Sequence, residues 1–171
     1  MSIFTLTIGA TSDFVSQPAE FQQIYTRYAA GVYRAAYRVT GSAEDAEDVL
    51  QTVFLRLLAN GVTLDLNAAP EAYLRRAAVN AAIDLIRRRQ ARPETSIVDT
   101  GDASSSDRLL MKERIRRALA ALPPRDAEMF VLCYIEGLTY EELASHFETE
   151  RGTVAARLFR IRAVLQKEIG R

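Results

Sequence analysis

The chain has 171 residues, 49% apolar and 26% charged, the proportions of a globular protein of one ordinary domain or two small ones. Its 22 Lys and Arg balance 22 Asp and Glu, which excludes a uniformly basic nucleic-acid binder but allows separate basic and acidic surfaces. One cysteine, Cys133, and one histidine, His146, exclude an intrachain disulfide, a cysteine-rich zinc site and a histidine cluster.

Residues 1–17 read as a loosely held tail. They lack the basic start of a secretory signal. No later run approaches the roughly 18 apolar residues of a membrane span, so the expected compartment is the cytoplasm. Pro18 suits a first helical position. Beyond it Phe21, Ile24, Tyr25, Tyr28, Val32, Tyr33, Ala36 and Tyr37 recur at helical spacing, up to a stop at Gly41. Ser42 then opens a second helix, with Glu44 and Asp45 in its first turn. Its predicted apolar face is Val49, Leu50, Val53, Phe54, Leu57 and Leu58, and Asn60-Gly61 ends it. Residues 42–50 carry Glu44, Asp45, Glu47 and Asp48 with no basic residue. Pro70 opens a third helix that closes on Arg87, Arg88 and Arg89, where cations suit the negative helix end. Tyr73 is expected in the core. Asp84 is expected to pair with an arginine.

Residues 92–107 are polar, acidic and rich in Ser and Thr, with no helical period. That is linker composition. The predicted organisation is a tail at 1–17, a domain at 18–92, an acidic linker at 93–107 and a second domain at 108–171. Residues 71–92 have a net charge of +4, residues 93–107 of −4, and residues 108–171 of +3.

Four helices are predicted beyond the linker. The first spans about 107–122, with Leu110, Ile115, Leu119 and Leu122 inward, and ends at Pro123-Pro124. The second runs from Pro124 to a cap at Gly137, with Met129, Phe130, Leu132 and Cys133 inward. The third starts at Thr139 with a capping box completed by Glu142 and ends near Phe147. The fourth runs from about 149 to 169, with Val154, Leu158, Ile161 and Leu165 as its inward stripe. No segment predicts a sheet. The expected fold is all-α: two small helical domains on a flexible linker.

The short third helix, tight connection and longer fourth helix have helix-turn-helix spacing. At about 100° per residue, Arg157 and Arg160 project away from the inward stripe, while Arg151 and Thr153 lie in the first turns. A recognition helix presents such residues to the major groove. The same spacing also serves an ordinary helical hairpin with a solvated basic face.

The string ALPPRDAEMFVLCYIEGLTYEELA at 121–144, continued by GTVAARLFRIR at 152–162, resembles the fourth conserved region of bacterial sigma factors. GSAEDAEDVLQTVFLR at 41–56 resembles the core-polymerase-binding helix of that family. AYLRRAAVNAAIDLIRRR at 72–89 resembles its minus-ten helix. Two motif sets in this order on a short linker resemble the extracytoplasmic-function class, over roughly residues 18–169.

The resemblance implies a non-enzymatic subunit with no cofactor and no metal. Its implied partners are core RNA polymerase, promoter DNA and an anti-sigma factor. It places polymerase docking on Asp45, Glu47, Asp48, Gln51 and Phe54, an exposed carboxylate row beside an apolar edge. It places promoter binding on Arg76, Asn80, Arg87, Arg88, Arg151, Thr153, Arg157 and Arg160. Within the last helix, Arg151 or Arg157 is expected to read bases and Arg160 to meet the backbone. Two rivals are a stand-alone dimeric helix-turn-helix regulator, which lacks a reason for the acidic docking helix, and a small metal-dependent hydrolase, which lacks ligands. The chain departs from the family pattern at Thr52, where Glu is usual, at Glu148, where Gly is usual, and at Ala155-Ala156, where Lys-Ser is common.

Overall fold

The computed structural model describes residues 13–59, 69–91 and 103–170. Among them are seven α-helices and no strand. The helices are α1 (Asp13–Thr40), α2 (Ala43–Ala59), α3 (Pro70–Ala91), α4 (Ala103–Ala121), α5 (Pro124–Tyr134), α6 (Tyr140–His146) and α7 (Arg151–Ile169). The expected tail as far as residue 12, the Asn60-Gly61 helix end and residues 92–102 of the expected linker lie outside the described residues. Pro18 lies inside α1 and not at its start. Helix α4 opens at Ala103, within the stretch read as linker.

Helices α1, α2 and α3 pack pairwise into a three-helix unit. Its seams are lined by small side chains: Ala35, Ala36, Ala46, Ala78, Ala81 and Ala82 are all buried, and side-chain size sets how closely two helices approach. Val32, Val49, Leu74 and Val79 fill the space between them. Each such buried aliphatic stabilises the fold by about 1.5–3 kcal/mol. In the second unit α7 packs on α4, α5 and α6. Its core is Leu119, Met129, Leu132, Leu143 and the α7 stripe Val154, Leu158, Ile161 and Leu165. The two units are also in contact, since α3 packs on both α4 and α5.

The helix ends follow local chemistry. Gly41 takes φ +61°, and its N–H donates to the Tyr37 carbonyl at 2.7 Å, closing α1. Thr139 builds the predicted capping box. Its Oγ1 accepts from the Glu142 N–H at 3.2 Å, and its own N–H donates to Glu142 Oε2 at 2.8 Å. At the corner between α6 and α7, the Glu148 N–H donates to the Ser145 carbonyl and the Thr149 N–H to the Ala144 carbonyl. This pair of bonds is a Schellman motif, which puts a left-handed residue after the helix. Glu148 occupies that position at φ +50°.

Three expectations about the core need correction. Tyr73 is 51% exposed. Leu58 lies at the rim of α2, 45% exposed. On α4, Leu110 and Ile115 are exposed, and among its described side chains only Ala118 and Leu119 are buried, with Leu122 buried just past its end, because the helix is covered along its C-terminal part alone. No described helix is long and apolar enough to cross a membrane.

Candidate nucleic-acid interface

The acidic start of α2 divides into two environments. Ser42 Oγ accepts from the Asp45 N–H at 3.4 Å and caps the helix. The Asp45 carboxylate does not complete a capping box. It is 2% exposed, its Oδ1 pairs with Arg89 of α3, and its Oδ2 pairs with Arg116 of α4 at 3.3 Å. Glu47 and Asp48 face solvent, and Gln51 is exposed one turn further on. Phe54 is buried, edge-on to Phe21 at 5.9 Å and to Tyr25 at 4.8 Å. The expected exposed row of carboxylates is therefore corrected: Glu47, Asp48 and Gln51 are open, whereas Asp45 and Phe54 are covered. Leu55, 63% exposed, is the apolar side chain that lies open beside them.

Helix α3 carries the basic face of the first unit. Arg88 is exposed, and its Nε reaches the Asp84 carbonyl at 3.4 Å. The other predicted DNA-facing groups of this helix point at the second unit. The Asn80 amide donates to Glu128 Oε1 at 3.0 Å. Arg87 Nη2 donates to the Leu122 carbonyl at 2.7 Å. Arg76 is half-buried in a cleft that it shares with Arg75, Leu138, Ser145 and His146. Between α1 and the start of α3 lies an open groove of about 710 Å³, walled in part by Arg27, Arg34, Arg75 and Tyr28. The sequence reading passed over Arg27 and Arg34. Their spacing of seven residues puts them on one face of α1, and that is the signal that finds them.

In the second unit α6 and α7 form the predicted hairpin. Arg151 is exposed, paired to Glu141 at 2.6 Å and lying over the Tyr140 ring. Thr153 and Arg160 are exposed. Arg157 departs from expectation. It does not project freely but lies half-buried, with its Nε on Asp126 Oδ1 of α5. It ties α7 to α5. Phe159, 67% exposed, is the most exposed large apolar side chain of the same helix.

Some groups that hold the interface together were not singled out in the sequence. His146 Nε2 lies 3.0 Å from the Glu128 Oε1 that also receives Asn80. Glu136, whose side chain is fully buried, lies 3.2 Å from Arg38 and 3.5 Å from Arg75. Lys112 Nζ donates to the Gly41 carbonyl, and Arg116 to the Thr40 carbonyl. Burial first, and then the neighbouring Arg116 charge, lowers the Lys112 ammonium below its ordinary range, against an opposing pull from Asp45. In the capping box, hydrogen bonds from Thr139 hold the Glu142 carboxyl below the ordinary glutamate value. Among the described residues no cluster of His, Cys, Asp and Glu could hold a metal ion.

Comparison with known proteins gives one consistent result. A family described as sigma-70 region 2 matches residues 24–92, and one described as sigma-70, region 4 matches residues 112–165. The chain is 32% identical to the ECF RNA polymerase sigma factor SigE of Mycolicibacterium smegmatis, over 95% of this chain and 66% of that protein. It is 30% identical to the ECF RNA polymerase sigma factor SigW of Bacillus subtilis, over 87% of this chain and 88% of that protein. Among solved structures it is similar to the sigma factor RpoE of Bartonella quintana, crystallised with the anti-sigma factor NepR. The TM-score is 0.49 at 19% identity, covering 88% of this chain and 97% of that one.

Proposed function

This chain belongs to the extracytoplasmic-function sigma factors of the sigma-70 family, and from that premise we propose how its surfaces divide the work. It is a promoter-directing subunit of transcription initiation and not an enzyme. It binds core RNA polymerase, carries it to a subset of promoters and helps to open the start site. A subunit with that role acts where the polymerase is, in the cytoplasm. An anti-sigma factor is the partner that would keep it from polymerase.

The first unit, region 2, takes the polymerase through Glu47, Asp48, Gln51 and Leu55 of α2, which offer carboxylates and an apolar edge to a basic helical partner. Asp45 joins this face once it is uncovered. Phe54 supports the face from beneath. The minus-ten strand lies along α3, where exposed Arg88 meets a phosphate directly, and Asn80 and Arg87 meet a base edge and a phosphate once they exchange Glu128 and the Leu122 carbonyl for DNA, with half-buried Arg76 beside them. The arginine-lined groove between α1 and α3 extends that track.

The second unit, region 4, sets α7 in the major groove of the minus-thirty-five element. Arg151 and Thr153 lie nearest the groove floor, and Arg160 lies toward the backbone. Arg157, held by Asp126, is assigned a positioning role in place of base reading.

The observation that carries the reading is the exposed pair Glu47 and Asp48 beside Leu55 on α2, a helix whose one basic residue, Arg56, stands in its last turn. Asp48→Arg should leave the helical content intact. It should weaken binding to core polymerase by about 1–3 kcal/mol, the scale of a reversed interfacial charge, with a matching loss of promoter-specific transcripts in vitro. Unchanged core binding by this variant would move the docking face elsewhere. Tight operator binding by a dimer without polymerase would favour the stand-alone regulator.

A further inference from the structure

We propose that Glu141 is a positioning residue for promoter recognition: it holds Arg151 by its Nε edge, aims the two Nη groups at a guanine of the minus-thirty-five element, and keeps Arg151 off the phosphates. The inference rests on the reading of α7 as the recognition helix and names the base that its first residue selects.

Arg151 opens α7, and both groups that hold it stand at the start of α6. Its Nε lies 2.6 Å from Glu141 Oε1, and its guanidinium carbon lies 6.0 Å from the centroid of the Tyr140 ring. Tyr140 and Glu141 directly follow Thr139, whose capping box with Glu142 fixes the first turn of α6. The cap thus sets where the carboxylate stands. The carboxylate and the half-buried ring together set where the guanidinium stands.

With the Nε edge taken, the end of the fork remains, made by the two Nη groups. It stays open to a ligand, since the Arg151 side chain is 68% exposed. In the major groove guanine offers O6 and N7 side by side, and the end of a guanidinium matches them with two bonds. Both acceptors are neutral. A phosphate carries a full charge, and its approach to Arg151 brings it against Glu141. Glu148 and Glu150, both exposed, add further carboxylates at this corner. Like charges brought together at an interface oppose that approach and favour the neutral base edge. Arg160 is the contrast on the same helix. It is exposed, pairs with no carboxylate among the described residues, and is free for the backbone. An exposed pair such as Arg151 and Glu141 adds little to folding, so its weight falls on recognition.

The test selects upstream elements from a randomised pool, using holoenzyme reconstituted from core polymerase and the full chain. It compares wild type with Arg151→Ala, Glu141→Ala and the double variant. Wild type should prefer guanine at one position by about 5- to 150-fold, the span of one two-bond pair. Arg151→Ala should lose that preference. Glu141→Ala should lose most of it at the same position and leave the other positions alone. Its binding to unselected elements should rise, and its slope of log affinity against log salt should steepen by about 0.9, as the released arginine takes a phosphate. Replacing the selected guanine by 7-deazaguanine, which lacks the N7 acceptor, should weaken wild type more than Glu141→Ala.

An undiminished guanine preference in Glu141→Ala overturns the positioning role. So does an equal loss at every position, which is what a merely structural role gives. So does a loss that is repeated on top of Arg151→Ala, because a residue that acts through Arg151 has no effect without it. A wild-type holoenzyme that selects no upstream element overturns the reading of α7 instead.

Discussion

The corner between α6 and α7 offers a direct test of how this sequence tolerates a residue that its family places differently. Glu148 sits at φ +50°. A left-handed backbone costs an L-residue about 1–2 kcal/mol through contact between Cβ and the following carbonyl oxygen. Glycine removes that contact but adds about 0.5–1 kcal/mol of backbone entropy to be lost on folding. The Glu148 side chain is exposed, and the bonds of the corner run through backbone atoms alone. Glu148→Gly should therefore stabilise the chain by about 0.5–1 kcal/mol, which for this size raises the melting temperature by about 1–4 °C. Glu148→Ala keeps the strain and should gain nothing. Urea unfolding followed by far-ultraviolet circular dichroism should show a higher midpoint for the glycine variant at unchanged slope. A midpoint at or below wild type would refute the argument, because it would mean that the glutamate side chain contributes what the strain removes.

Two further outcomes follow from the second unit. Arg157→Ala should cost about 1 kcal/mol of stability, since it leaves Asp126 without its partner in a partly exposed pair, and holoenzyme bound to randomised upstream elements should weaken alike on all of them. Arg160→Ala should leave stability unchanged and lower the slope of log affinity against log salt by about 0.9, the value of one phosphate contact. The capping box makes stability depend on pH through Glu142. Its folded carboxyl lies below the unfolded value, so its contribution is present above about pH 4.5 and is lost as pH falls through the folded value. Urea midpoints between about pH 6 and about pH 3 should fall less steeply for Glu142→Gln than for wild type, from a lower starting midpoint.

What could be read from the sequence was whatever a few neighbouring residues decide. The capping box at Thr139 and Glu142, the stop at Gly41 and the Pro124 start depend on spacings of a turn or less. The inward stripe of α7 follows from helical period alone. The buried positions that escaped the reading depend on partners far along the chain. Arg116 is 71 residues from Asp45, Glu128 is 48 from Asn80, and Glu136 is 98 from Arg38. Nothing local distinguishes Asp45 from Asp48, and both lie in the same acidic cluster. Asp45, in the first turn of α2, meets Arg89 and Arg116, whereas Asp48, a turn further along and about 60° around the helix, is exposed; the positions of those distant partners make the difference. Leu110 and Ile115 failed for the opposite reason. Their period is helical, but α4 meets its neighbours only further on, and period cannot tell a covered stripe from an open one.

The neutral composition acquires a physical meaning once the two units are seen in contact. Each unit satisfies charges of the other, and the units are tethered. A tether of this length sets an effective concentration on the order of millimolar for one unit facing the other. A promoter fragment at micromolar concentration competes poorly with such a contact, since it replaces only the partners of α3 or only those of α7. Core polymerase, on the reading proposed above, approaches through Glu47 and Asp48 of α2, a face that this contact leaves open, so it can bind before the contact yields. The chain in this contact should therefore ignore promoter DNA until polymerase is present, whereas a stand-alone helix-turn-helix regulator would bind its operator unaided. The order of addition in a promoter-binding assay, with polymerase before or after DNA, separates these two behaviours without any substitution in the protein.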